Sequence, residues 1–272
     1  MKLVCVGDLG VDRYMPENKL LPGGITGNFT RQARRCFKDS DEIQIISAIG
    51  TDEDEAATAL SAVSLPGIEC HITFIEGNTP VQYIEVNEDG EKNFTKYDPG
   101  VLERFKINTH QAAIMAQADL IMTPVYWQIH NVFDAVFSIQ TNAIKAVDFS
   151  DFSTEPDFDL LDRYADGIDI AFFGLSADQT DLVEKIKEVA ADKGILCVIT
   201  FGENGSMVIA ETMVFTENAV PVSNVVDTTG AGDAFAAGFL SSLIHDKNLK
   251  NALQNGARIA AKTIQQLGSV PT

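Results

Sequence analysis

Val225-Val226-Asp227-Thr228-Thr229-Gly230-Ala231-Gly232-Asp233-Ala234-Phe235 is the most informative stretch of this 272-residue chain. An apolar pair leads into a glycine-rich turn, and beyond it Phe235, Phe239, Leu240 and Leu243 recur at helical spacing. Gly230 and Gly232 allow a tight turn and leave no side chain above the backbone. The first helical amides, at Gly230, Ala231 and Gly232, then lack an acceptor within the helix and face outward. Unpaired N–H groups at the positive end of a helix dipole form an anion site. Asp233 stands in the first turn beside it. A carboxylate repels phosphate, but it can take a proton from a hydroxyl attacking phosphorus. Donors for the transferred charge and a base for the alcohol are the two requirements of phosphoryl transfer. A plain tight turn with Asp233 as a dipole partner fits these residues equally well.

Outward from this stretch, short apolar runs alternate with amphipathic ones. Residues 3–6, 43–48, 120–123, 143–149, 168–173 and 196–201 read as buried strands. Residues 180–192 read as a helix, with Leu182, Val183, Ile186, Val189 and Ala190 on one face. Residues 52–63 open with an acidic first turn, and residues 249–267 carry Ala252, Leu253, Ala260 and Ile264 at helical spacing. This alternation predicts an α/β fold with a mostly parallel sheet covered on both faces. Residues 72–97 break the rhythm with strands at 72–75, 81–86 and 92–97, and Glu88-Asp89-Gly90 signals a hairpin. They predict a small β-flap on a single domain spanning residues 1–272.

Twenty basic against 39 acidic side chains give a net charge of −19, which disfavours nucleic acid and anionic membranes as partners. Cys5, Cys36, Cys70 and Cys197 are widely spaced, as reduced thiols of a cytoplasmic protein would be. No apolar run is long enough to span a bilayer. The P-loop pattern, H-E-x-x-H and G-x-S-x-G are missing, and Gly7-Asp8-Leu9-Gly10 is not a dinucleotide fingerprint. His71, His110, His130 and His245 are isolated in sequence and suit ordinary surface or core roles.

The run from Asp227 to Asp233 resembles the C-terminal signature of the PfkB, or ribokinase-like, carbohydrate kinases. The likeness extends over nearly the whole chain. Pro22-Gly23-Gly24-Ile25-Thr26-Gly27-Asn28 is similar to the N-terminal signature, and Thr200-Phe201-Gly202-Glu203-Asn204-Gly205 to the nucleotide loop. Asp12 matches the aspartate that holds sugar hydroxyls, and residues 72–97 look like the β-lid. Within the family, residues 146–151 and 261–268 and the short connection from Asp12 to Gly23 look closest to the fructoselysine 6-kinases.

This resemblance implies a three-layer α/β/α sandwich with a β-lid, and an ATP-dependent kinase acting on a primary hydroxyl of a sugar or sugar derivative. It implies Asp233 as general base with Gly230, Ala231 and Gly232 as the anion hole. Asp12, Gly23, Gly24 and Asn28 would hold the sugar, and Thr200, Gly202, Gly205 and Asn255 the ATP. Asp227 and the Thr229 carbonyl match positions that bind a monovalent cation such as K⁺ in some members, and Mg²⁺ would arrive with ATP. Where many members have N-x-x-E ordering magnesium waters, this chain has Ser176-Ala177-Asp178-Gln179. An uncovered lid edge would suit a homodimer. Two other functions share the signature: a non-catalytic sugar or nucleotide sensor, and a kinase of a nucleoside or vitamin-type alcohol.

Overall fold

Leu3 and Cys5 pack on one face of the first strand with Phe29 and Phe239, while Val4 and Val6 pack on the other with Phe133 and Ile186. Burial on both faces removes the need for polar alternation, so this strand reads as one apolar run. The computed structural model of the chain describes residues 1–86, 92–154 and 156–268. The hairpin signal at Glu88-Asp89-Gly90 lies outside the described residues.

The strands are β1 (Lys2–Val6), β2 (Gly10–Met15), β3 (Lys19–Gly23), β4 (Glu42–Ile49), β5 (Ile68–Phe74), β6 (Val81–Val86) and β7 (Lys92–Asp98). They continue with β8 (Leu120–Pro124), β9 (Ile144–Asp151), β10 (Ile170–Gly174), β11 (Leu196–Thr200), β12 (Ser206–Ala210) and β13 (Met213–Glu217). The helices are α1 (Ile25–Cys36), α2 (Glu53–Ser61), α3 (Thr109–Ala116), α4 (His130–Ser138), α5 (Phe158–Tyr164), α6 (Thr180–Lys193), α7 (Ala231–Asp246) and α8 (Leu249–Thr263).

Nine strands form the large sheet in the order β13-β12-β11-β10-β9-β8-β1-β4-β5. Every pairing from β11 to β5 is parallel, and β12 and β13 add an antiparallel edge. Helices α1, α7 and α8 bury their apolar faces on one side, and α3 to α6 on the other. The result is a three-layer α/β/α sandwich, as the alternating apolar runs predict. Helix α8 stops at Thr263, short of the expected residue 267. The Ile264 carbonyl accepts from the amides of Val226 and Asp227, at 2.8 and 3.2 Å, and ties the chain to the glycine-rich loop.

A second sheet has the order β3-β2-β6-β7. It is not built from residues 72–97 alone. Residues 72–74 continue β5, whose parallel register with β4 runs on through Ser47–Ile72 to Ile49–Phe74. The chain between Asp12 and Gly23, which reads as a short connection, is instead the β2–β3 hairpin. Its turn is polar and its register offers too few apolar pairs to announce strands. Beneath this sheet, α2 packs Ala56 and Ala59 against Leu9, Val11 and Val81.

Candidate active site

Strands β1, β8, β9, β10 and β11 run parallel, so their carboxyl ends open on one side of the sheet, where α/β folds place ligands. The loops there ring a cavity of about 1280 Å³, roofed by Gln82, Phe94 and Tyr97 of the small sheet. The first turn of α7 forms part of its wall. Gly230 caps that helix with φ 74° and ψ 9°, a left-handed conformation natural to glycine. The Ala231 amide closes the turn on the Thr228 carbonyl at 3.1 Å. It is therefore not part of an anion hole in the way the sequence suggests. The amides of Gly230, Gly232 and Asp233 meet no protein acceptor among the described residues. A Cβ on Gly232 would touch nothing within 4 Å, so the space above these amides is open.

Asp233 is 8% exposed and lines the cavity beside those amides. Its Oδ2 accepts from Asn28 Nδ2 at 3.0 Å, joining the first turns of α7 and α1. Burial pushes the Asp233 carboxyl well above the ordinary range. The charges of Asp148, Asp8 and Asp12 add to the rise, and the Asn28 hydrogen bond opposes it. Asp12 and Gly24 line the same cavity. Asp8 holds the entrance of α1 in place, accepting from the Ile25 and Thr26 amides at 3.0 and 3.1 Å. Its carboxylate also bonds the Tyr126 hydroxyl, which lies 3.1 Å from that of Tyr97 on the small sheet.

Gly23 does not line the cavity; it stands behind Asp12. A Cβ there would run into the Asp12 carboxylate and come within 2.8 Å of the Asp12 amide nitrogen. Gly23→Ala is expected to displace the Asp12 side chain. A hydrogen bond to a charged group contributes about 1.5–3 kcal/mol, so the acceptor KM rises roughly tenfold or more. The KM for ATP holds. Steady-state kinetics with each substrate varied in turn check this split, and an unchanged acceptor KM would refute the packing argument.

Thr200 and Gly202, at the end of β11, line the far part of the cavity. Gly205 does not: it closes the β11–β12 hairpin, its carbonyl accepting from the Phe201 amide at 2.8 Å. Asn255 does not reach the cavity either. Its Nδ2 donates to the Gly238 carbonyl at 2.7 Å and its Oδ1 accepts from Arg258 at 2.6 Å. Where α8 crosses α7 at Gly238 and Gly256, the amide serves helix packing. Thr229 lines the cavity, whereas Asp227 is 2% exposed behind it. The Asp227 carboxylate accepts from the Thr229 and Gly268 amides at 2.8 Å each and from the Tyr14 hydroxyl at 3.2 Å. Among the described residues, these three donors make the Asp227 carboxylate a latch for the loop.

For Mg²⁺ the chemistry is different. No group of three His, Cys, Asp or Glu side chains among the described residues could hold an ion directly. The Gln179 amide is committed to the Ser176 amide and the Ser153 carbonyl, at 2.9 and 3.0 Å. Ser176 and Asp151 remain on the cavity wall as hard oxygen donors, which fits a hydrated ion delivered by nucleotide phosphates.

Sequence reasoning missed Asp148, Asp8, Tyr97 and Tyr126. The available signal was an aspartate inside the apolar run Val147-Asp148-Phe149, because a charged residue in a buried strand is rare without a reason. Asp148 is 7% exposed within β9 and lines the cavity. Burial pushes its carboxyl up to about 6, with the Ser150 amide opposing and the Asp8 charge reinforcing the shift.

The chain is 29% identical to a fructoselysine 6-kinase of Escherichia coli over 268 residues, covering 98% of each. It is also 29% identical to the fructosamine kinase FrlD of Bacillus subtilis, over 99% of this chain and 93% of that one. The structure of an Arabidopsis thaliana ribokinase complexed with ribose and ATP superposes with a TM-score of 0.75. It shares 17% identity and covers 99% of this chain and 95% of its own. Residues 2–272 match the model of the pfkB family carbohydrate kinases, and the chain belongs to that family of ATP-dependent sugar phosphotransferases.

Proposed function

We propose that this kinase transfers the γ-phosphoryl group of ATP to a primary hydroxyl of a ketoamine-type sugar derivative, with Asp233 as general base. The position of Asp233 beside three open amides, in a cavity shared with Asp12 and Asn28, carries this reading. Asp12 and Asn28 orient the sugar so that its hydroxyl meets Asp233. That carboxylate takes the proton while the amides of Gly230, Gly232 and Asp233 hold charge on the migrating group. Mg²⁺ bound to the nucleotide would supply further charge neutralisation, with Ser176 and Asp151 holding its waters. Thr200 and Gly202 line the ATP end, and the small sheet excludes water as a lid on a single kinase domain.

The names of the 29% identical relatives support the ketoamine class. Among the described residues, β3 and β7 pair no further strand on their outer sides, which supports a homodimer through the lid. The free cysteines, and the lack among the described residues of any helix long and apolar enough to cross a membrane, support the cytoplasm as location.

The test is a phosphoryl-transfer screen with ATP over hexoses, ketoamine sugars, ribose and nucleosides. The highest kcat/KM is expected with a ketoamine sugar. Binding without ADP release would point to a sensor, and preference for a nucleoside would overturn the substrate class.

A further inference from the structure

Seven aspartates and no lysine, arginine or histidine line the cavity among the described residues. For a kinase this balance is odd. The site must admit an anionic nucleotide, and each uncompensated carboxylate makes that harder. Four of the seven have donors of their own besides Asp148, Asp233 among them through Asn28. Asp8 caps α1, Asp157 caps α5 and accepts from the Trp127 indole at 2.7 Å, and Asp151 accepts from Ser153 and Thr154.

Asp148 is different. Its Oδ1 accepts from the Ser150 amide at 2.7 Å, while no donor or cation among the described residues meets its Oδ2. More than nine-tenths buried, it stands on the cavity wall with one carboxylate oxygen unmatched. A carboxylate this buried, with a single hydrogen bond and its other oxygen on the cavity side, is costly and calls for a cation or a donor from the ligand. The same cavity has an apolar component: Phe149, Phe152 and Phe158 also line it. They give a charged head an alkyl-compatible and cation-tolerant neighbourhood.

We propose that Asp148 reads a protonated amine on the acceptor, so that preferred sugar derivatives carry a positive charge and uncharged sugars of the same shape are poor acceptors. This rests on the kinase reading above and adds the charge of the acceptor and the residue that recognises it. A cationic acceptor offsets the carboxylates that line the cavity, and the net charge of −19 draws it toward the protein. Asp148 then serves specificity, while Asp233 serves proton transfer.

Two acceptors of equal length separate the alternatives: N-butyl fructosamine, whose secondary amine is protonated, and 1-O-butyl fructose, in which an ether oxygen replaces the nitrogen. Removing one partner of a buried charge pair costs about 2–5 kcal/mol, so the parent protein is expected to favour the amine in kcat/KM by at least about 30-fold. The gap should lie in KM. In Asp148→Asn, the amine-to-ether ratio should collapse to near one. Equal use of both acceptors by the parent would overturn the proposal without touching the kinase reading. So would an equal loss on both in Asp148→Asn, which would assign the carboxylate to phosphoryl transfer. Absence of transfer to any acceptor would instead sink the kinase reading itself.

Discussion

Asp233→Asn is expected to turn over at least about 10²-fold more slowly than the parent, since general-base help is typically worth about 10²–10⁴-fold. The substitution preserves shape. An asparagine oxygen can still accept from Asn28 Nδ2, which in the parent lies 3.0 Å from Asp233 Oδ2, so both first turns keep their link. Loss should therefore fall on kcat, with KM for acceptor and ATP nearly unchanged. The pH profile provides a second readout. Burial first, then the charges of Asp148, Asp8 and Asp12, push the Asp233 carboxyl well above the ordinary carboxylate range. A base must be deprotonated to act, so the parent's kcat/KM should rise with pH through an apparent pKa above that range. In Asp233→Asn this acid limb disappears. Turnover within threefold of the parent, or an unchanged acid limb, would discredit Asp233 as the base.

Much of this arrangement is legible in the sequence, because the parallel strands are buried on both faces. Such strands appear as apolar runs, and six of the seven parallel strands of the large sheet coincide with a run within two or three residues at either end. The β2–β3 hairpin does not. It lies over α2 with its turn in solvent, and Asp12, Arg13, Glu17, Asn18 and Lys19 break the alternation that marks a half-exposed strand. At the site, residues held by local backbone chemistry were readable: Gly230, Gly232 and Asp233 follow from a helix start. Residues that meet only through the sheet were harder. Asp148 reaches the cavity through the register of β9 with β8 and β10, where it pairs with Pro124 and Phe172. Asn255 shows the opposite situation. The family resemblance implies a place near the nucleotide, whereas the close crossing of α7 and α8 engages its amide.

Asp148→Asn is expected to be more stable than the parent at neutral pH by about 3 kcal/mol, although it discriminates acceptors worse. Burial pushes the carboxyl up to about 6 in the folded protein, against an ordinary 3.8. Each unit of such a difference is worth about 1.36 kcal/mol. The sign follows from linkage: a raised folded value means the folded state holds the proton more tightly than the unfolded chain does. The stabilising contribution is full below about pH 4 and is lost as pH rises to about 6. Above that, the folded protein carries a buried charge that the unfolded chain would solvate. Asparagine keeps an acceptor for the Ser150 amide, which now bonds Oδ1 at 2.7 Å, and removes the charge. Thermal melts of both proteins should then differ by roughly 5–10 °C at pH 7.5, with the gap closing below pH 4. A gap independent of pH, or a less stable variant, would refute the buried-charge account. A carboxylate kept at such a cost implies a return in function, and a cationic acceptor supplies one: its ammonium cancels the charge that the fold alone leaves unmatched.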